Sequence, residues 1–277
     1  MAQIITSLHN PTVKNLVKLR QRRERDRQKL LLIDGARALR LALHNAFPLT
    51  TIYFAEHVAP VHADLLHQAR AAGIALQAVT AAVFHKIGYG DNPDGVLSIA
   101  PQPSVCLAHL PCTAVPLYLI TEGLEKPGNL GAILRSADAA GVTGLIVCES
   151  QTDIWNPNVI RTSQGAFCTV SIAVATAVET QHWLRQHPMQ LLAATPTASR
   201  LYTAVDLRLP SALILGAEHT GLSPTWRSAT PIRIPMAGQV DSLNVAQAAS
   251  IILFEAVRQR HQRGLSPLPP GEGFITG

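Results

Sequence analysis

Four prolines within residues 101–116 (Pro101, Pro103, Pro111 and Pro116) constrain this 277-residue chain more than any other feature. Each fixes φ and removes a backbone donor, so neither a regular helix nor a central strand forms there. The stretch reads as a linker. On both sides of it, apolar runs of strand length alternate with short helical patterns, the signature of α/β architecture. The expected layout is a small N-terminal α/β domain over residues 1–100, the linker 101–116, a C-terminal α/β domain over 117–263 and a flexible Pro/Gly-rich tail over 264–277.

In the first part, Asn10-Pro11 has the form of a helix cap followed by proline at the first helical position. Val13, Leu16, Val17 and Arg20 then recur at helical spacing, and one helix is expected to carry on through the basic run 22–27. Strands are expected at 30–33, 51–55, 74–79 and 96–100, and helices at 36–45, 62–72 and 81–87. In the second part, strands are expected at 117–121, 144–148, 167–174, 190–195, 211–215 and 232–235. Helices are expected at 129–140, with Gly141 as the stop, and at 158–164, 178–187 and 243–262.

Hydrophobic residues make up 47% of the chain and charged residues 15%, which excludes a disordered polyelectrolyte. The net charge of +5 is unevenly spread. Residues 1–40 carry ten Lys/Arg against three acids, a balance of +7, which leaves −2 for the other 237. A basic N-terminal face on a near-neutral body suits a polyanion such as RNA, although a solvated helix face has the same composition. The cysteines Cys106, Cys112, Cys148 and Cys168 show no metal-ligand spacing, so neither a metal site nor a disulfide framework is expected. No apolar run approaches membrane-spanning length and no signal pattern opens the chain, so a cytoplasmic protein is expected.

Three segments carry chemistry. In Asn129-Leu-Gly131-Ala-Ile-Leu-Arg135 a strand ends, a Pro-Gly turn follows and a helix begins. A capped helix packed closely on a sheet, with Arg135 as a surface residue, accounts for that pattern equally well. In Leu215-Gly216-Ala-Glu218-His-Thr-Gly221 an acid stands inside a tight glycine loop after a buried strand. Ile234-Pro-Met236, followed by Asp241-Ser242-Leu243-Asn244, places three polar residues at the start of a long helix, where one cap would suffice. Neither a dinucleotide fingerprint nor a P-loop occurs, which argues against a nucleotide-dependent oxidoreductase.

In this order and spacing the segments resemble the SpoU (TrmH-type) RNA ribose 2′-O-methyltransferases, whose motifs are Asn-x-Gly-x-x-x-Arg, Gly-x-Glu-x-x-Gly and Ser-x-Asn. Arg161-Thr-Ser163-Gln-Gly165-Ala166 resembles a fourth family stretch. The resemblance spans residues 117–262. More weakly, Asn10-Pro11 through Ile33-Asp34-Gly35 resembles the family's accessory RNA-binding domain, with Asp34 where the family usually has Glu.

The resemblance implies a C-terminal domain with a trefoil knot, a homodimer, S-adenosylmethionine as cofactor and RNA, ribosomal first and transfer RNA second, as substrate. An RNA-binding module without catalysis is the alternative. It implies Arg135 as the central catalytic residue, with Asn129, Glu218, Ser242 and Asn244 positioning it and the nucleotide. The cofactor is expected against Thr195, Leu215, Gly216, Ile234, Met236 and Leu243. Phosphate contacts are expected from Lys14, Lys18, Arg22, Arg23, Arg25 and Arg161.

Overall fold

Long apolar runs become the centres of two sheets. The computed structural model describes residues 4–89 and 94–261, so the expected tail lies outside the described residues. Its elements are α1 (Pro11–Lys18), α2 (Arg22–Gln28), β1 (Leu30–Asp34), α3 (Ala36–His44), β2 (Thr51–Ala55), α4 (Ala63–Ala71), β3 (Ala75–Val79), α5 (Ala81–Ile87) and β4 (Val96–Pro101). Then come β5 (Leu117–Glu122), α6 (Pro127–Ala139), β6 (Gly144–Cys148), α7 (Pro157–Thr162), β7 (Ile172–Ala175), α8 (Ala177–Arg185), β8 (Gln190–Ala194), β9 (Ser211–Leu215), β10 (Thr230–Ile232) and α9 (Val245–His261).

The chain forms two compact units that do not follow chain order. The first holds residues up to Ser104 together with Lys126–Arg135 and Gln151–Thr169. The second holds Val105–Glu125, Ser136–Ser150 and everything from Val170. In the first, the strands lie in the order β1-β4-β2-β3, with β4 antiparallel to both neighbours and β2 parallel to β3. Val13, Leu16 and Leu19 pack with Phe84, Ile87 and Leu97 beneath this sheet. α7 packs against β1, and Phe167 meets Phe47 edge-on with ring centroids 5.4 Å apart.

The second unit is built on a parallel sheet, β10-β8-β9-β5-β6-β7. β5, β6 and β9 are buried at every position. A parallel strand covered on both faces needs an unbroken apolar run, and Leu-Tyr-Leu-Ile, Leu-Ile-Val and Leu-Ile-Leu supply it. Cys148 is a fully buried member of this core, and burial pushes its thiol up to about 12. Tyr118 packs edge-on against Trp183 at 5.1 Å.

The structure departs from expectation at four places. The single basic helix is two. Gln21 is extended, and the buried Arg25 guanidinium reaches back to the carbonyls of Leu19 and Arg20, capping α1 where it stops. The strand expected at 167–174 starts only at Ile172. Gln164 and Gly165 both take positive φ and turn the chain into a 3₁₀ segment, Ala166–Cys168. The last strand is Thr230–Ile232 rather than 232–235. Finally, α6 opens at Pro127, so Asn129 lies in its first turn instead of capping it.

Candidate active site

The C-terminal ends of β8, β9 and β10 lie side by side in register, with Ala194 beside both Leu215 and Ile232. The next residues therefore leave one edge of the sheet together. Loops at the carboxyl ends of parallel strands are where such sheets hold ligands. Thr195 donates its backbone N–H to Ile232 at 2.9 Å. Leu215 is buried, and Thr195, Gly216, Ile234, Met236 and Leu243 are half-buried. The last three lie on the segment that joins β10 to α9.

The loop after β9 is held shut by its glycines. Gly221 donates to the Ala217 carbonyl at 3.0 Å and has φ of +66°. A Cβ on Gly216 would overlap the Gly221 carbonyl and sit 2.7 Å from the Leu222 nitrogen. Only glycine lets the two ends of this loop touch. A residue not anticipated from sequence pins its far side. Glu122, buried at the end of β5, accepts the backbone N–H and the hydroxyl of Ser223, each at 2.7 Å. The signal was an acid closing an otherwise apolar strand.

Glu218 and Asn244 come together. The Asn244 amide donates to Glu218 Oε1 at 2.8 Å, while its Oδ1 accepts the Ala246 N–H at 3.0 Å. Asn244 is therefore the one cap that the start of α9 uses, of the three polar residues there. Ser242 is exposed and donates to Asp241 at 3.1 Å. One asparagine thus fixes a helix start and orients a carboxylate.

Asn129, Gly131 and Arg135 lie on α6. Gly131 is needed for close packing: a Cβ there would overlap Thr162 Oγ1 and lie 2.8 Å from the Val159 carbonyl of α7. Asn129 is half-buried and Arg135 exposed.

Of the residues expected to touch RNA, Lys14, Lys18, Arg22 and Arg23 are exposed on the first two helices. Arg25 is not available. Its side chain is 1% exposed, ion-paired with Asp153 and hydrogen-bonded to two carbonyls, so it is a structural cation rather than a phosphate contact. Arg161 is half-buried and donates to the Tyr89 carbonyl at 3.0 Å. Among the described residues no cluster of His, Cys, Asp or Glu is placed to hold a metal ion, and no helix is long and apolar enough to cross a membrane.

A parallel α/β sheet with glycine-closed and asparagine-capped loops at its carboxyl edge defines a class, and comparison with known proteins supplies the family. The family model described as SpoU rRNA Methylase matches residues 116–254, and that of the MRM3-like substrate binding domain matches residues 10–98. An uncharacterised tRNA/rRNA methyltransferase of Synechocystis is 34% identical, over 92% of this chain and 94% of its own. The 23S rRNA (uridine(2479)-2′-O)-methyltransferase of Streptomyces viridochromogenes is 31% identical over 87% of each. The AdoMet-bound crystal structure of an rRNA methyltransferase from Sinorhizobium meliloti superposes with a TM-score of 0.83 at 32% identity, covering 92% of this chain and 97% of that one. The chain belongs to the SpoU rRNA methylase family.

Proposed function

We propose that this protein transfers the methyl group of S-adenosylmethionine to a ribose 2′-hydroxyl of structured ribosomal RNA. The observation that carries the reading is the glycine-closed loop at the end of β9, whose Glu218 is oriented by the Asn244 cap of α9. Similarity along most of the chain to an rRNA 2′-O-methyltransferase and to an AdoMet-bound rRNA methyltransferase supports it. Residues 1–100 are read as the RNA-binding domain and 117–263 as the methyltransferase domain, its C-terminal part threaded as a trefoil knot. A homodimer in the cytoplasm completes the reading. Ile251 and Phe254 on α9 are exposed apolar side chains, and they support the dimer.

The edge formed by Thr195, Leu215, Gly216, Ile234, Met236 and Leu243 suits the cofactor. Half-buried apolar side chains there pack an adenine, and the closed Gly216 loop lets backbone approach it. When bound, S-adenosylmethionine supplies a methyl already activated on a positive sulfur. The protein's task is then to align the 2′-oxygen and manage its proton. Alignment alone is worth up to roughly 7–11 kcal/mol in favourable cases, and assisted proton loss about 10²–10⁴-fold. A charged guanidinium has no acceptor, so Arg135 acts by holding the adjacent phosphate and stabilising negative charge on the 2′-oxygen, whose proton would pass to water as the O–CH3 bond forms and the S–CH3 bond breaks. Asn129, Glu218, Ser242 and Asn244 position the nucleotide.

The test is tritium transfer from labelled S-adenosylmethionine into size-fractionated RNA from a strain lacking this gene, with wild type beside Arg135→Ala. Label in a ribosomal band, with the variant lower by at least about a hundredfold, is the expected result. Label confined to transfer RNA overturns the substrate. Failure to bind S-adenosylmethionine overturns the reaction.

A further inference from the structure

A cavity of about 220 Å³ in the first unit is lined by Asp34, Arg37, Tyr89, Asp94, Arg161 and Gln164. It is smaller than the roughly 300 Å³ at which pockets for drug-sized ligands begin, a size that suits one small group such as a single base. Its chemistry is mixed by construction. Asp34, at the end of β1, is buried and accepts the Tyr89 backbone N–H. Asp94 accepts the Ala36 N–H at 3.1 Å. Arg161 is anchored through the Tyr89 carbonyl, and Arg37 is exposed at the rim.

The backbone around the cavity turns sharply. Gln164 holds φ of +53°, and Gly35 and Gly165 hold +106° and +99°. A non-glycine residue in that region is uncommon and is kept where the surroundings impose it. Burial raises the Asp34 carboxyl to about 6 against the pull of the Tyr89 N–H and Arg161, so it is mostly ionised at neutral pH.

Two carboxylates disfavour a phosphate, and two guanidiniums disfavour a simple cation. The matching group carries N–H donors on one edge and ring or carbonyl acceptors on another. Guanine does so most fully, with N1–H and N2–H beside each other and O6 and N7 as acceptors for arginine. We infer that this cavity reads one unpaired guanine base of the RNA substrate, with Asp34 accepting from its N–H edge and Arg37 and Arg161 donating to O6 and N7. Unstacked bases splayed from loops are the usual objects of sequence-specific RNA recognition. The inference rests on the reading of the chain as an RNA-modifying enzyme and names what that enzyme selects.

The full-length protein is titrated with labelled short oligouridylates carrying one central guanosine, adenosine, cytidine or uridine, at fixed salt. The guanosine oligomer binds tighter than the others by about tenfold, within what one bidentate base contact discriminates. Asp34→Asn, nearly isosteric and still able to accept from Tyr89, loses that preference while holding its affinity for the all-uridine oligomer. Arg37→Gln, at the exposed rim, narrows it. Thermal unfolding and S-adenosylmethionine binding confirm that both variants are folded. Equal binding of all four oligomers by wild type overturns the inference and leaves the methyltransferase reading intact. Equal weakening of all four in the variants identifies a phosphate contact and also overturns it. No binding to any oligomer likewise overturns the inference, while the methyltransferase reading stands or falls on the tritium transfer.

Discussion

Asp34 stores a measurable electrostatic cost. Desolvation raises its carboxyl from an unfolded value of 3.8 to about 6, so the folded state holds the proton more tightly than the unfolded chain. A raised folded pKa gives a contribution that is fully present below about 4 and is lost as pH rises through about 6. The shift is worth about 2–3 kcal/mol. Wild type minus Asp34→Asn stability, measured by urea unfolding from pH 4 to pH 8, should therefore fall by that amount across this window and stay flat above pH 7. A difference that rises with pH would mean that the Tyr89 N–H and Arg161 outweigh burial. Arg25 is the opposite case. Its charge is paired with Asp153, whose side chain is only 9% exposed. Arg25→Met leaves that carboxylate buried and unpaired, and should cost about 3–5 kcal/mol in the same unfolding assay. Both residues look alike in sequence to their exposed neighbours, and only burial separates them.

At the scale of elements, the α6–α7 contact depends on one missing side chain. Gly131→Ala forces a methyl against Thr162 and the Val159 carbonyl, and should destabilise by about 1–3 kcal/mol. Thr162→Ala in the same chain removes the tightest of the three clashes, that with Oγ1, and should recover part of the loss. A double-mutant cycle by thermal unfolding should thus show a favourable coupling between the two substitutions, and strict additivity would refute the contact. The periodicity that revealed the strands could not reveal this. β5, β6 and β9 were legible because a doubly covered strand writes itself as an apolar run. The break between α1 and α2 was not, because Arg25 and Asp153 are 128 residues apart. The run 167–174 looked like one strand, yet Phe167 packs in the first unit and Ile172 pairs in the second unit's sheet. In the loops, Gly216, Glu218, Gly221 and Asn244 were legible as polar or flexible residues after apolar runs. Which of them caps α9 was settled only by the bonds Asn244 makes.

For the whole molecule, the charge count overstates the surface that faces RNA. Residues 1–40 sum to +7, but Arg25 is neutralised inside by Asp153 and Arg40 pairs with Asp64. Arg22 lies 3.5 Å from Asp26 on an exposed turn, where pairing is weak and a phosphate competes readily. Lys14, Lys18, Arg22 and Arg23 are the exposed cations of α1 and α2 proposed to meet phosphates, and the exposed Arg27 pairs with Glu24. Each phosphate neutralised contributes about 0.7–0.9 to the slope of log affinity against log salt. Replacing these four by glutamine should make that slope shallower by about 3, read from RNA binding across a salt series. Arg25→Met should leave the slope of its folded fraction unchanged, because a buried cation releases no counterion. If the two variants changed the slope alike, phosphate contact would not track exposure and the assignment of the basic helices as the RNA-facing surface would fail. If only the fourfold variant did, affinity would come from these helices independently of sequence, leaving base selection to a site with both donors and acceptors, as the cavity around Asp34 has.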